Sequence, residues 1–212
     1  MKRLILAAFT LSLFIETASA VSVQPFRVFV RPDQKVVELD VTNDTDIART
    51  FDIRVKEWAG YTPDGSDALY SQSAIVTSRP VITVPAGQTA VMRLFVMRAG
   101  MKYIMDDYRV LVTDITPDMV SDGKSQVMSK TNLVLPMFVF NKDMAIFHAK
   151  LTLADGKLCN SGTMFARVKG WKTQSGQNVD RLHYLFPGET GNCMNVPGVT
   201  SVADVRYDDE TQ

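Results

Sequence analysis

The sequence has few of the side chains on which enzymes depend. His148 and His183 are its only histidines, and neither stands near a nucleophile signature or a cluster of carboxylates. Catalysis by proton transfer or covalent attack needs such groups in combination. We therefore expect no catalytic residue and no enzyme activity, and we interpret both histidines as ordinary strand or surface residues.

An excess of charge of either sign is also missing, as are long apolar runs beyond the N-terminus. Lysine plus arginine and aspartate plus glutamate both number 23, so the chain offers no strongly basic surface for a nucleic acid. Past residue 20, no apolar run approaches the roughly 20 residues that a membrane-spanning helix needs. Nucleic acid and membrane insertion are therefore not expected.

The first twenty residues have the organisation of a secretory signal peptide. Lys2 and Arg3 precede an apolar run over residues 4–15, and Ala18-Ser19-Ala20 supplies the small residues that signal peptidase requires. We predict cleavage after Ala20 and export of the remaining chain.

Cysteine is nearly absent, with Cys159 and Cys193 as the only two. An exported protein carries them into an oxidising compartment, so a disulfide is the default interpretation. It would close a loop of roughly 35 residues and contribute about 4 kcal/mol in the chain-entropy model. A reactive thiol or a metal-binding pair is the alternative.

Methionine, in contrast, is plentiful, with eleven residues that include Met97, Met101 and Met105. Thioether ligands would suit a carrier of a soft metal, but loosely spaced methionine more commonly fills cores. The acidic residues 106–107 and 208–210 lack the pattern of a calcium loop. We expect no metal and no cofactor.

Short strand patterns separated by turns predict an all-β fold of two immunoglobulin-like β-sandwich domains. Residues 49–58 (RTFDIRVKEW) alternate strictly between apolar and polar, and residues 21–30 contain Pro25, which fits an edge strand or a strand that switches sheets at a kink. About seven such strands end at residue 140, the number in an immunoglobulin-like sandwich. Strand patterns cover residues 21–30, 36–41, 49–58, 75–76, 81–84, 90–96 and 108–115, and later 147–153, 164–171, 183–186 and 202–207. We predict a first domain over residues 21–140 and a short second one over 141–212.

Residues 125–140 (SQVMSKTNLVLPMFVF) predict one long strand with two different halves. From Leu133 onward it is almost wholly apolar, as in a strand buried on both faces. Residues 126–132 are more polar and resemble an edge with unpaired backbone groups, which proteins usually protect. An edge left open indicates a binding surface.

Four segments, in order, resemble the periplasmic chaperones of chaperone–usher pilus assembly, the PapD-like family. They are residues 21–43 (VSVQPFRVFVRPDQKVVELDVTN), 78–94 (SRPVITVPAGQTAVMRL), 108–117 (YRVLVTDITP) and 135–140 (LPMFVF). The second half resembles the family only in being a short β domain with cysteines, which indicates a divergent branch.

The resemblance implies two immunoglobulin-like domains in a boomerang and a function without chemistry. Such chaperones bind pilus (fimbrial) subunits in the periplasm, lend a strand to the subunit's incomplete sandwich, and deliver it to an outer-membrane usher. The alternative is a structural or adhesive immunoglobulin-like pilus component, which would lack its own last strand.

The family also implies a basic pair that holds the subunit's C-terminal carboxylate. The arginine of the pair corresponds to Arg27, and a guanidinium fork suits a carboxylate. The lysine corresponds to Pro136, so Lys130 is the nearest candidate and needs a shifted register or a bulge. The Arg-Pro that follows the family's closing strand is replaced by Phe140-Asn141.

Alternate side chains of the lent strand should enter the subunit. The ungapped match offers Val127, Ser129, Thr131 and Leu133. A slip by one residue exchanges the two faces of a strand and would offer Met128, Lys130, Asn132 and Val134 instead.

Overall fold

The computed structural model describes residues 21–62, 64–98, 104–117, 130–142, 147–187 and 193–208. Within them the regular structure is β-strand except for one short 3-10 turn, Val202–Asp204. The all-β prediction is confirmed. The predicted signal peptide and cleavage site lie outside the described residues.

Ten strands form the first sandwich, in two sheets ordered β1-β3-β8-β6 and β2-β10-β9-β4-β5, with β7 also paired to β4. The strands are β1 (Val21–Gln24), β2 (Val28–Val30), β3 (Val36–Asn43), β4 (Arg49–Tyr61), β5 (Asp67–Tyr70), β6 (Ile75–Thr77), β7 (Val81–Val84), β8 (Gln88–Val96), β9 (Met105–Asp114) and β10 (Asn132–Phe140).

The core of this sandwich follows from strand alternation. In β4, Phe51, Ile53 and Val55 are buried while Arg54 is exposed, as the sequence pattern predicts. Their counterparts from the other strands complete one continuous cluster between the sheets. Each such side chain contributes about 1.5–3 kcal/mol on burial, so the cluster holds the two sheets together.

The chain crosses between the two sheets near its start. β1 pairs with β3 in one sheet, whereas β2 pairs with β10 in the other, and the bend between them contains Pro25. Of the two alternatives predicted for this segment, an edge strand or a strand that switches sheets at a kink, the structure shows the switch of sheets, and β1 and β2 also lie at the edges of their sheets. The crossing places the residues just before Val28 beside β10.

Six strands form the second sandwich, in sheets ordered β11-β12-β15 and β14-β13-β16. They are β11 (Leu151–Ala154), β12 (Lys157–Asn160), β13 (Ala166–Lys172), β14 (Asn178–Leu185), β15 (Cys193–Asn195) and β16 (Val205–Asp208). The sequence patterns missed β12 and β15 because strands of four and three residues are too short to show a period.

These two strands carry the predicted disulfide. Cys159 and Cys193 lie directly opposite each other across β12 and β15, and their sulfur atoms are 2.06 Å apart. The disulfide prediction is confirmed. The bond fastens β15 to β12 within their sheet.

An aromatic cluster joins the two sandwiches. Phe138 of β10 stacks on Phe165 with ring centroids 3.9 Å apart, and Trp58 of β4 meets Phe186 edge to face at 4.5 Å. The buried members are Trp58, Met105, Phe138, Phe140, Phe147, Met164, Phe165, Tyr184 and Phe186. The β10 strand ends at Phe140 and β11 starts at Leu151; the domain limits drawn at residue 140 stay a prediction.

Candidate functional site: an open strand edge beside Arg27

The strand β10 has neighbours on both sides over only part of its length. Along all of Asn132–Phe140 it pairs with β9, antiparallel, whereas β2 covers only Met137, Phe138 and Val139, in parallel. In the part of the chain that the structure describes, residues 132–136 have no strand on their second side. The sequence predicts the open edge at residues 126–132, of which the structure describes only 130–132. The edge seen at 132–136 falls mostly in the half predicted to be buried on both faces, where Val134 is exposed.

Two hydrogen bonds define which backbone groups face this edge. The amide of Asp114 donates to the carbonyl of Thr131 at 3.0 Å, and the amide of Asn141 donates to the carbonyl of Ile104 at 2.8 Å. In an antiparallel ladder such bonded pairs alternate with non-bonded pairs. Odd-numbered residues of β10 therefore bond to β9, and the backbone groups of Asn132 and Val134 point to the open side.

Pro136 lies on the even-numbered series, opposite Arg109 of β9. Its missing N–H therefore belongs to the side that faces β2 and the open edge, so the ladder to β9 loses no hydrogen bond. Proline is tolerated in this strand because the donor that it lacks is not one that β9 needs.

Arg27 lies at the Pro136 end of the open edge. It directly precedes Val28, whose partner across the parallel ladder is Met137, so its backbone lies beside Pro136. Phe29, two residues later, packs against the interdomain aromatic cluster, and strand alternation places Arg27 on that same face. The half-buried guanidinium thus belongs to the cleft between the sandwiches.

The two candidate donor registers have different surroundings. Thr131 and Leu133 are half-buried, and Leu133 packs on the core of the first sandwich, whereas Asn132 and Val134 are exposed. Val127, Met128 and Ser129 lie outside the described residues. The ungapped register therefore faces the interior of the sandwich, and the slipped register faces the cleft side.

Lys130 is exposed and lies beyond the paired strand. The pairing of Asn132–Phe140 with β9 runs without interruption, so this span contains no bulge that would bring Lys130 closer to Arg27. Lys130 precedes Pro136 by six positions, which in an extended chain is a distance of about 20 Å. The two basic side chains would have to extend fully toward each other to hold one carboxylate.

Arg109 is a cleft residue that carries no signal in the sequence. Its Nε and Nη2 donate to the two carboxylate oxygens of Asp67 at 2.9 and 3.0 Å, and its guanidinium carbon lies 3.3 Å from the centroid of the Trp58 ring. Only 9% of its side chain is exposed. These partners are 42 and 51 positions away along the chain, so only the folded sheet brings them together.

A second unpredicted group of contacts holds Phe140 and Asn141, at the end of β10. Nη1 of Arg98 donates to the carbonyl of Phe140 at 2.8 Å and to Oδ1 of Asn141 at 2.9 Å, and Nδ2 of Asn141 donates to Asp106 at 2.6 Å. Arg98 also donates to backbone carbonyls of the turn after β2. The end of β10 is therefore held by Arg98 and Asn141.

Two buried groups near the interface between the sandwiches, His183 and Asp107, have shifted pKa values. Burial, with the positive charge of Arg181 as a smaller cause, lowers the pKa of His183 to about 4. Burial, reinforced by the neighbouring Asp106, raises the pKa of Asp107 well above its ordinary value, against the pull of Arg109. Both groups favour the neutral form, as expected where two sandwiches exclude water.

The remaining candidates for chemistry are scattered. His148 is exposed, Met97 is exposed and Met105 is buried in the aromatic cluster, whereas Met101 lies outside the described residues. Among the described residues, no group of three or more histidine, cysteine, aspartate or glutamate side chains could hold a metal ion. Nor do those residues form a helix with the length and apolarity to cross a membrane.

The structure is thus a two-sandwich protein in which, among the described residues, β10 has an open edge over residues 132–136. No protein-family model and no curated protein matches the chain by sequence. Solved structures do match. One is the Salmonella enterica SafB chaperone in complex with SafA pilin, with a TM-score of 0.64 and 16% sequence identity over 86% of this chain and 86% of that chain. Another is the periplasmic chaperone SfaE, with a TM-score of 0.62 and 16% sequence identity over 84% of this chain and 87% of that chain.

A third similar structure comes from the CsuC–CsuE chaperone–tip adhesion subunit complex of the archaic Csu pili of Acinetobacter baumannii (TM-score 0.60, 17% identity, 84% of this chain and 89% of that chain). The chain thus has the fold of pilus chaperones, two immunoglobulin-like β-sandwiches, and the resemblance predicted from sequence is confirmed at the level of the fold. The proteins that it resembles are chaperones rather than enzymes.

Proposed function

We propose that this protein is a periplasmic chaperone that binds pilus subunits by donor-strand complementation and delivers them to an outer-membrane usher. The observation that carries the proposal is the open edge of β10 over residues 132–136, which ends beside Arg27. An incomplete subunit sandwich has the complementary need, because its exposed apolar groove and unpaired edge would otherwise aggregate. The fold neighbours that hold a pilin or a tip subunit support this partner class.

Each predicted site residue has a role in this proposal. Arg27 binds the C-terminal carboxylate of the subunit, for which a bidentate guanidinium is suited. The donor strand contains Val127, Ser129, Thr131 and Leu133. Because Leu133 packs on the core of the first sandwich, the exposed Asn132 and Val134 of the slipped register are the side chains offered to the subunit at that end, and Lys130 contacts the subunit farther along the same strand. The signal peptide, with cleavage after Ala20, directs the chain to the periplasm.

Co-expression tests the proposal directly. The full chain is produced with candidate pilus subunits, and a soluble one-to-one complex is the expected product. Arg27→Ala should reduce recovery of the complex at least about tenfold, since a charge-assisted hydrogen bond contributes about 1.5–3 kcal/mol. Arg31→Ala is the matched control, because that side chain is 70% exposed and pairs only loosely with Asp33.

Two outcomes would overturn the proposal. Subunits that aggregate equally with and without this protein would show that it is not their chaperone. Self-polymerisation of the purified chain would instead indicate a structural or adhesive pilus component. Normal complex formation by Arg27→Ala would remove only the anchor assignment.

A further inference from the structure

Pro136 stands where the covered part of the β10 edge becomes the open part. On its C-terminal side, Met137, Phe138 and Val139 pair with β2. On its N-terminal side, the backbone groups of Val134 and Asn132 point to the open side. Its ring is buried. The change from covered to open edge thus falls at the one β10 residue that has no N–H.

The same register explains why β2 starts where it does. Residues 28 and 30 of β2 lie opposite 137 and 139, so one further step up the parallel ladder would join the N–H of residue 136 to the carbonyl of Phe26. Proline cannot make that bond. Phe26 accordingly remains in the bend before β2, with its side chain 63% exposed, and the chain's own N-terminal strand does not continue onto the open edge.

We infer that Pro136 is a register stop with two effects. It prevents the protein's own β1–β2 segment from covering the open edge, and it ends the ladder that an incoming strand can form, so that the strand's terminal carboxylate comes to rest beside Arg27. This inference rests on the proposed function. Where the resemblance implies a lysine that binds the carboxylate, this chain has a proline, whose missing N–H would limit how far the partner strand can extend its pairing along β10.

Pro136 would fix the register of the incoming subunit strand along β10 as well as its affinity. An incoming strand can bond to the backbone of Asn132 and Val134, but it finds no amide donor at 136. A subunit with one extra C-terminal residue would have to push that residue past Pro136 or shift its whole strand, which exchanges the faces of its side chains. The protein should therefore bind a subunit whose last strand has the matching length more tightly than one whose strand is a residue longer.

The first test requires no subunit. Hydrogen exchange of the Phe26 amide is followed in the free protein for the wild type, for Pro136→Ala and for Pro136→Val, which restores the N–H with more bulk. We expect exchange at Phe26 to slow at least about tenfold in both variants, because extension of β2 along the parallel ladder would also direct the N–H of Phe26 to the carbonyl of Val134. Pro32→Ala, in the turn after β2, is the control and should leave exchange at Phe26 unchanged.

The second test uses the subunit that binds the wild type and the same subunit with one glycine added at its C-terminus. The wild type should bind the lengthened subunit about tenfold more weakly, and this difference should fall to less than about threefold in Pro136→Ala. Unchanged exchange at Phe26 together with unchanged length discrimination would overturn the register stop. A wild type that binds neither subunit would overturn the proposed function, while the exchange test would still judge the role of Pro136.

Discussion

The guanidinium carbon of Arg109 lies over the ring of Trp58, 3.3 Å from its centroid, while Nε and Nη2 of the same group donate to the two carboxylate oxygens of Asp67. Trp58 in turn meets Tyr184 and Phe186 of the second sandwich edge to face. A single arginine therefore connects a salt bridge of the first sandwich to the aromatic contact between the two. Arg109 combines charge, hydrogen bonding and stacking, which a lysine could not do.

We predict that Arg109→Ala lowers the free energy of unfolding by about 3 kcal/mol, because it leaves the carboxylate of Asp67 without its partner and uncovers Trp58. Arg109→Lys should cost about 1–2 kcal/mol, since it keeps the charge and loses the stacking and the second donor. Urea unfolding measures both. Arg54→Ala, which breaks an exposed pair with Asp52, is the control and should change stability by less than about 0.5 kcal/mol. Equal losses for Ala and Lys would contradict the stacking contribution.

We also predict a loss of stability with acid that depends on His183. This residue stacks on Tyr61 with ring centroids 4.2 Å apart, and its pKa falls to about 4 in the folded protein, compared with about 6.5 when unfolded. Between these values the unfolded chain binds the additional proton, so the contribution of the neutral ring is complete above pH 6.5 and is lost as the pH falls toward 4.

Urea unfolding of the wild type and His183→Gln at pH 7.5, 5.5 and 4.5 measures this contribution. The raised pKa of Asp107 acts in the opposite direction, because the folded state then holds the proton more tightly, but it is common to both proteins and cancels in the difference. The stability difference between wild type and variant should shrink as the pH falls. A difference that is constant over this range would show that His183 protonates normally in the fold.

Many features of this fold could be predicted from short stretches of sequence. The features that could not be predicted depend on contacts between residues that are distant along the chain. Strict alternation predicts the buried face of β4, and Pro25 predicts the sheet switch, because both depend on neighbouring residues. The short strands that carry Cys159 and Cys193 form because the disulfide and the neighbouring strands hold them. The partners of Arg109 and Arg98 lie dozens of residues away, so no period or motif could indicate them.

The sequence predicts an open edge in the polar half of the strand, residues 126–132, whereas the open edge of the described residues covers 132–136 and lies mostly in the apolar half. The limit of this edge at Pro136 depends on which side of β10 each backbone amide faces, and this follows from the register with β9 rather than from residue type. In the sequence, Pro136 is notable only because the resemblance to pilus chaperones implies a lysine at its position. In the fold it lies at the end of the free edge.

The last prediction concerns Asn141, whose Oδ1 accepts from Arg98 and whose Nδ2 donates to Asp106. Asn141→Ala should lower the free energy of unfolding by about 1–3 kcal/mol, since both partners are part-buried and lose a hydrogen bond. The exposed neighbour, Lys142→Ala, should have little effect.

Asn141→Asp separates the two bonds, because a carboxylate can still accept from Arg98 but replaces the donor toward Asp106 with a second negative charge. Two carboxylates at this distance cannot both ionise easily, so the pKa of the pair should rise. The variant should therefore be at least as unstable as Asn141→Ala at pH 7.5 and regain stability as the pH falls toward 5, where one shared proton restores a hydrogen bond between them. Thermal unfolding of both variants at the two pH values provides the measurement. If Asn141→Asp is as stable as the wild type at pH 7.5, the bond to Asp106 contributes nothing and Arg98 alone holds the end of β10.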